Sequence, residues 1–308
     1  MRRGLVVANP LGGGVTDELV TEVRAACGRL FDEVEVHETA SDRDLASFVA
    51  VAVVGGDGTV RDVCEAIASL PADARPALFV VPAGTGNSAY RALWGDVDWR
   101  EALASASGSD DGPGRVVDLV RVVESGLSSL LGVNAGFVAR VAAAIARSKE
   151  EGRAAGDDEE AAQQRYWTTI AAALQDIEPF PARVKVDGER IHEGDALLVS
   201  VGGVKAFGRG TFRLLPRSEL DDGLLDVCVI DALTLEQWQE LGQLLPAGDH
   251  LDRPEVTYAQ GRRVELERTD GADLVVEHDG DPRPAGARLT LEVVPAAVPV
   301  LAPGEKRQ

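Results

Sequence analysis

The sequence predicts an α/β fold class: an N-terminal, doubly wound domain followed by a C-terminal β-rich sandwich domain. Three observations predict it. Residues 51–54 are an apolar run that enters Gly55-Gly56-Asp57-Gly58-Thr59, after which Val60, Val63, Cys64 and Ile67 fall at helical spacing; this is strand, tight turn, helix. The same order recurs at 78–81, Pro82-Ala83-Gly84-Thr85-Gly86-Asn87 and a helix holding Ala89, Leu93 and Trp94. From Arg115 onward the period changes, and short β-type runs dominate.

Taken in order, residues 5–8 are the first strand, and Leu19, Val20, Val23, Cys27 and Leu30 share one helical face. A strand at 34–37 and a helix around 44–48 precede the two glycine units, and a loop rich in Ser, Gly and Asp at 105–114 closes this half. Strands alternating with helices imply a parallel sheet wound on both faces. Strands at 116–123 and 130–133 follow, then a helix from Phe137 to about Lys149 and an acidic stretch, 150–160, that reads as a solvated loop or fraying helix. A helix resumes at 166–174. Strand-like runs then stand at 182–186, 196–201, 212–215, 224–230, 263–266, 274–277 and 288–293, with one amphipathic helix at 235–245. Short strands at regular spacing imply an antiparallel sandwich. The expected domains are 1–118, 119–294 and a tail, 295–308.

Composition excludes several functions. A chain of 308 residues with a net charge of −20 lacks the basic patches a nucleic-acid partner needs. The same charge allows at most transient contact with an anionic membrane surface. Acid spread along the chain suggests a salt-rich, halophilic cytoplasm that screens self-repulsion; full stability at low salt in an unfolding titration would remove that idea. Cys27, Cys64 and Cys228 are far apart in apolar runs and read as reduced core residues of a cytoplasmic protein. No run approaches the roughly 18 apolar residues of a membrane span. A homodimer is compatible with the sequence, which does not decide oligomeric state.

The glycine turns carry the chemistry. Three glycines in four positions let the backbone take φ > 0 and approach a ligand, and the turn opens onto a helix N-terminus that favours an anion. Asp57 would serve through Mg²⁺ or a ribose hydroxyl. One such loop is equally well a packing device. Two of them, at the carboxyl ends of strands one βα unit apart, define the crevice in which open α/β sheets bind ligands.

Together, Gly55-Gly56-Asp57-Gly58-Thr59, Gly84-Thr85-Gly86-Asn87 and the opening Asn9-Pro10 with Gly12-Gly13-Gly14 resemble the diacylglycerol kinase catalytic domain. That superfamily includes bacterial soluble lipid kinases and sphingosine and ceramide kinases. The likeness reaches the closing strand and Pro295-Ala296-Ala297, so it covers nearly the whole chain. It implies ATP- and Mg²⁺-dependent phosphorylation of a hydroxyl on a lipid alcohol, in a cleft between the two domains, with the tail packed back on the first. ATP contacts are implied at Asn9, Thr39, Gly55, Gly56, Asp57, Gly58, Thr59, Val60, Arg61, Gly84, Thr85, Gly86 and Asn87.

Glu219-Leu220-Asp221-Asp222-Gly223-Leu224 is, on spacing alone, an ordinary acidic Asp-Gly turn. The resemblance makes it a Mg²⁺ site, with the Asp222 side chain and the carbonyls of Glu219 and Leu224 as ligands, and gives Asp118 a structural or metal-linked place behind it. Glu277-His278-Asp279-Gly280-Asp281-Pro282 likewise reads as an acidic hairpin. Relatives carry Asp-Gly-Glu or Asn-Gly-Glu here, whose last carboxylate takes the proton of the lipid hydroxyl. The implied base is therefore Asp281, one methylene shorter, with Asp279 as second candidate. Two departures stand out: Arg61 replaces the family's usual Asn, and Ser88-Ala89 replaces Asp-Phe. A guanidinium at Arg61 suits a phosphate. Two other functions compete: an NAD kinase, which shares the first glycine loop, and a nucleotide-binding regulatory protein without effective catalysis.

Overall fold

A computed structural model describes residues 1–10, 12–41, 43–106, 114–155, 159–173, 178–207 and 210–302. The first half holds β1 (Arg3–Ala8), α1 (Asp17–Cys27), β2 (Glu33–His37), β3 (Ala50–Gly55), α2 (Asp57–Ala68), β4 (Ala77–Pro82), α3 (Ser88–Trp94) and α4 (Trp99–Ala106). β3 pairs in parallel with β1 and β4, and β1 with β2. All six residues of β3 are buried, as expected of a strand covered on both faces. Helix α1 starts where Thr16 accepts a hydrogen bond from the N–H of Leu19, with Asp17 and Glu18 in the first turn.

The second half runs β5 (Arg115–Val122), β6 (Ser128–Ser129), β7 (Gly132–Gly136), α5 (Phe137–Ala155), α6 (Glu159–Ala173), β8 (Phe180–Val186), β9 (Glu189–Gly202) and β10 (Leu225–Asp231). It ends with α7 (Leu235–Leu244), β11 (Val256–Gly261), β12 (Arg263–Arg268), β13 (Val275–His278), β14 (Asp281–Pro284) and β15 (Arg288–Val300). β8 alternates buried and half-buried positions, and β9 through β11 pair antiparallel, so the period-two pattern is expressed as an antiparallel assembly. Its interior is a separate cluster around Val184, Val201, Val227, Val264 and Leu291.

β15 joins the halves. It pairs antiparallel with β12 and β5, then runs on so that Val300 lies beside Leu78 of β4 in parallel. The N–H of Leu301 donates to the Leu78 carbonyl at 2.9 Å and the Trp94 indole N–H to the Leu301 carbonyl at 3.2 Å. One hydrogen-bonded path of strands therefore crosses both halves.

Several expectations are corrected. The 44–48 segment is a single 3₁₀ turn, Leu45–Ser47. The acidic stretch belongs largely to α5 and α6, with 156–158 outside the described residues. Residues 212–215 make no strand; Phe212 forms one isolated bridge to Phe207. β11 and β14 were not expected, β14 because Pro282 and Pro284 argue against a strand. β14 is the edge of the sheet, where proline is tolerated. Residues 107–113 of the expected loop, Leu174, and 303–308 of the tail also lie outside the described residues.

Candidate active site

The two glycine turns do lie side by side, but their glycines serve a different purpose from the one expected. None of Gly55, Gly56, Gly58, Gly84 or Gly86 has positive φ. Gly84 faces Gly56 backbone to backbone, so a Cβ on Gly84 would fall on the Gly56 Cα, and a Cβ on Gly86 would come within 2.9 Å of the Asp57 carboxylate. The left-handed residue of the second loop is Asn87, at φ 51, and its Oδ1 accepts from the Gly84 N–H at 2.7 Å. Such side-chain-to-backbone bonding is what lets Asn take this conformation.

Asp57 is also engaged differently. Its Oδ1 accepts from the Ala89 N–H at 2.9 Å, capping α3 from across the crevice. Asn87 precedes that helix without a side-chain cap of its own. Burial pushes the Asp57 carboxyl above the usual range, and the N–H groups of Ala89 and Ser88 draw it partly back. Asn9, at the end of β1, donates from Nδ2 to the Thr59 hydroxyl at 3.2 Å. Val60 is core, 1% exposed, and can offer a ligand only its backbone. Thr39 is exposed and bonds locally to Ser41.

Arg61 does not stand free for a phosphate. From the second position after Thr59 it reaches β14, and its Nη1 donates to Asp281 Oδ2 at 2.7 Å and to the His278 carbonyl at 3.3 Å. The candidate base is thus tied to the first glycine turn. Gly58 lies on the same side, since a Cβ there would sit 3.6 Å from Asp281 Oδ2.

Asp279 is a structural acid. It is 7% exposed at φ 52, and four donors converge on it: the Ser129 hydroxyl, and the N–H groups of Leu130 at 3.1 Å, Leu131 at 2.8 Å and Gly132 at 3.2 Å. Burial raises its pKa while these donors oppose the rise. A carboxylate so occupied fixes the β6–β7 turn against the hairpin, which leaves Asp281, half-exposed, as the better candidate base.

Glu277 was not expected. It is 2% exposed, accepts from Asn134 Nδ2 and the Gly280 N–H, and burial raises its pKa to about 8. In sequence it is one more acid in an acidic hairpin; only the pairing of β13 with β7 sets it opposite Asn134.

Some of these residues line one cavity of about 590 Å³, whereas Asn9, Thr39, Gly55, Thr59, Val60, Arg61, Gly84 and Asn87 are not in its lining. Gly56, Gly58, Thr85 and Gly86 line it together with Asp281, Asp279 and Glu277. Most of the remainder is apolar, with Phe137, Val141 and Ile145 of α5, Leu198 of β9, Phe207 and Trp238 of α7, and Lys149 of α5 adds one cation. None of these apolar residues is a motif, and no sequence signal separates pocket lining from core.

The Asp222 turn is not among the residues lining this cavity. Asp222 is exposed and accepts from the Leu224 N–H at 3.0 Å. Asp118 accepts from the N–H groups of Gly223 and Ala296, each at 2.7 Å, and Asp221 from Arg115. Glu219 pairs with Lys205 at 3.4 Å. Among the described residues no group of three or more His, Cys, Asp and Glu side chains is placed to hold a metal. The exposed Asp222 carboxylate is a hard oxygen donor of the kind Mg²⁺ takes, one or two at a time with its waters kept.

Comparison with known proteins matches both halves of the chain. Residues 3–122 match the diacylglycerol kinase catalytic domain, and residues 132–302 match the YegS C-terminal NAD kinase beta sandwich-like domain. The chain belongs to the diacylglycerol kinase family. It is 30% identical over 279 residues to a Stenotrophomonas maltophilia protein named probable lipid kinase YegS-like, covering 86% of this chain and 85% of that one. It is 28% identical to a Mycobacterium tuberculosis diacylglycerol kinase, covering 82% of this chain and 77% of the relative. A crystal structure of a diacylglycerol kinase from Bacillus anthracis has the same fold, with a TM-score of 0.69 at 19% identity over 98% of this chain and 97% of that one.

Proposed function

We propose that this protein is an ATP- and Mg²⁺-dependent kinase that phosphorylates a hydroxyl group on a lipid alcohol. The observation that carries the reading is the cavity itself. Residues of both glycine turns, the apolar side chains Phe137, Val141, Ile145, Leu198 and Trp238, and Asp281 all line it, which supports the reading. A dinucleotide acceptor such as NAD would meet few polar partners in that chamber, so the apolar wall favours a lipid over an NAD-kinase reading.

In this reading the glycine turns hold the triphosphate at the helix N-terminus of α2, where unpaired N–H groups favour anionic oxygens. The lipid lies in the apolar chamber with its hydroxyl toward Asp281. The Asp281 carboxylate takes the hydroxyl proton as that oxygen attacks the γ-phosphorus, and ADP leaves. Arg61 orients Asp281 through its 2.7 Å hydrogen bond to Oδ2. Mg²⁺, when bound, neutralises charge; Asp222, Glu219 and Leu224 are the residues that would hold it. No helix among the described residues is long and apolar enough to cross a membrane, so the lipid would be drawn out of a bilayer or met at its surface.

The test is an acceptor panel: diacylglycerols of increasing chain length, a monoacylglycerol, glycerol and NAD, each with ATP and Mg²⁺. The reading expects phosphorylation that rises with apolar length and is absent with glycerol and NAD. Phosphorylation of NAD alone would transfer the chain to the competing reading.

A further inference from the structure

A second cavity, of about 370 Å³, opens between α3 with its following turn and residues 203–206 and 210–220. That size is within the range of small-ligand sites, about 300 to 1,000 Å³. Among the described residues, only Ser88 lines both this cavity and the catalytic one. Its charge is unusual for this chain. Arg91, Arg115, Lys205 and Arg213 line it against Asp96 and Glu219, whereas acids outnumber bases 51 to 31 in the whole sequence.

The existing ion pairs differ in how firmly they commit these cations. Arg115 is buried and forks onto Asp221 at 3.1 and 3.3 Å. Lys205 meets Glu219 at 3.4 Å with both side chains nearly half exposed, and Arg91 lies 3.8 Å from Asp96, which is 97% exposed. Arg213 adds another exposed guanidinium. Long, exposed pairs contribute little, and an anion with several oxygens competes with them through charge-assisted hydrogen bonds. The cations also come from opposite sides: Arg91 from the α/β half, Lys205 and Arg213 from the β-rich half. An anion between them would replace repulsion with a bridge.

We propose that this cavity is a second ligand site, separate from the glycine turns, that takes a phosphate-bearing molecule bridging Arg91 to Lys205 and Arg213. Phosphate chemistry is common to a free phosphate ion and a phosphorylated lipid headgroup, so both sources enter the test. The proposal does not depend on the kinase reading, because its readout is binding.

Orthophosphate would be titrated against the whole protein by thermal shift at chloride-matched ionic strength, with saturating ADP present. A water-soluble, short-chain lysophosphatidate would be titrated in parallel. The expected result is saturable binding that weakens roughly tenfold for each guanidinium removed in Arg91→Ala and Arg213→Ala, with ADP affinity unchanged. The double Lys variant, Arg91→Lys with Arg213→Lys, should recover most of it and so separates charge from folding. Arginine-dependent binding of the lysophosphatidate identifies a lipid headgroup as the occupant; arginine-dependent binding of orthophosphate alone identifies the free ion. Equal affinity in the wild type and the double Ala variant, or no saturable binding of either probe, would overturn the proposal.

Discussion

Arg61 and Asp281 stand 220 positions apart in sequence, yet the guanidinium donates to the carboxylate at 2.7 Å. The bond links the helix at the first glycine turn to the edge strand β14, and so fixes the candidate base relative to that turn. Replacing Arg61 with Ala should release Asp281. A catalytic group displaced by about 1 Å loses on the order of 100-fold in rate, so kcat should fall by about that factor. ATP affinity, measured by equilibrium titration, should change far less; a large loss of affinity with kcat preserved would place Arg61 on the nucleotide instead.

Asp279 should report on stability first. Asp279→Ala strands the buried N–H groups of Leu130 and Leu131, while the Ser129 hydroxyl keeps the Gly132 carbonyl at 2.7 Å and the Gly132 N–H keeps the Ser129 hydroxyl at 3.2 Å. Each unsatisfied buried donor costs about 1–3 kcal/mol, with strong non-additivity. A total loss of about 3–5 kcal/mol in a urea titration is expected.

Glu277 gives the protein a pH dependence. Its pKa is raised from 4.5 to about 8 on folding, so the folded state holds a proton that the unfolded state releases. Stability from this group is fully present below about 4.5 and is lost as pH rises towards 8. Each pH unit in that window carries about 1.4 kcal/mol for one proton. In Glu277→Gln this part of the slope should vanish, and the variant should be more stable than the parent at pH 8. The check is a set of denaturant titrations between pH 5 and 8.

Gly84→Ala should harm both fold and site, because the new Cβ meets the Gly56 Cα and neither backbone can move without opening the crevice. Overpacking of this kind costs roughly 1–3 kcal/mol, and ATP affinity should fall with it.

Much of this was legible in sequence, and the boundary is physical. The units β3–α2 and β4–α3 were readable because apolar runs, glycine turns and helical spacing are all local signals. The roles of the loop residues were not local. Glycine at 56 and 84 looked like a demand for φ > 0, yet what requires it is another loop's backbone. Asp57, read as a ligand residue, lines the cavity and also caps α3, a contact that no local signal shows. Arg61 looked like a phosphate contact because nothing in its neighbourhood reveals Asp281. The resemblance ranked Asp281 ahead of Asp279, but only the fold shows how they differ physically: the β6–β7 turn surrounds Asp279, and Asp281 is left partly open. Glu277 escaped notice for the same reason, and the apolar chamber because a leucine in a pocket wall reads like a leucine in the core.

The most direct test is Mg²⁺-dependent transfer of phosphate from ATP to diacylglycerol in mixed micelles, comparing the parent with Asp281→Asn. Loss of a positioned general base costs roughly 10²–10⁴ in rate. We predict lipid-dependent turnover in the parent, a fall of that size in the variant, and ATP binding retained in both. Equal turnover in the two proteins would contradict Asp281 as the base, and ATP binding without turnover onto any lipid alcohol would contradict the kinase itself.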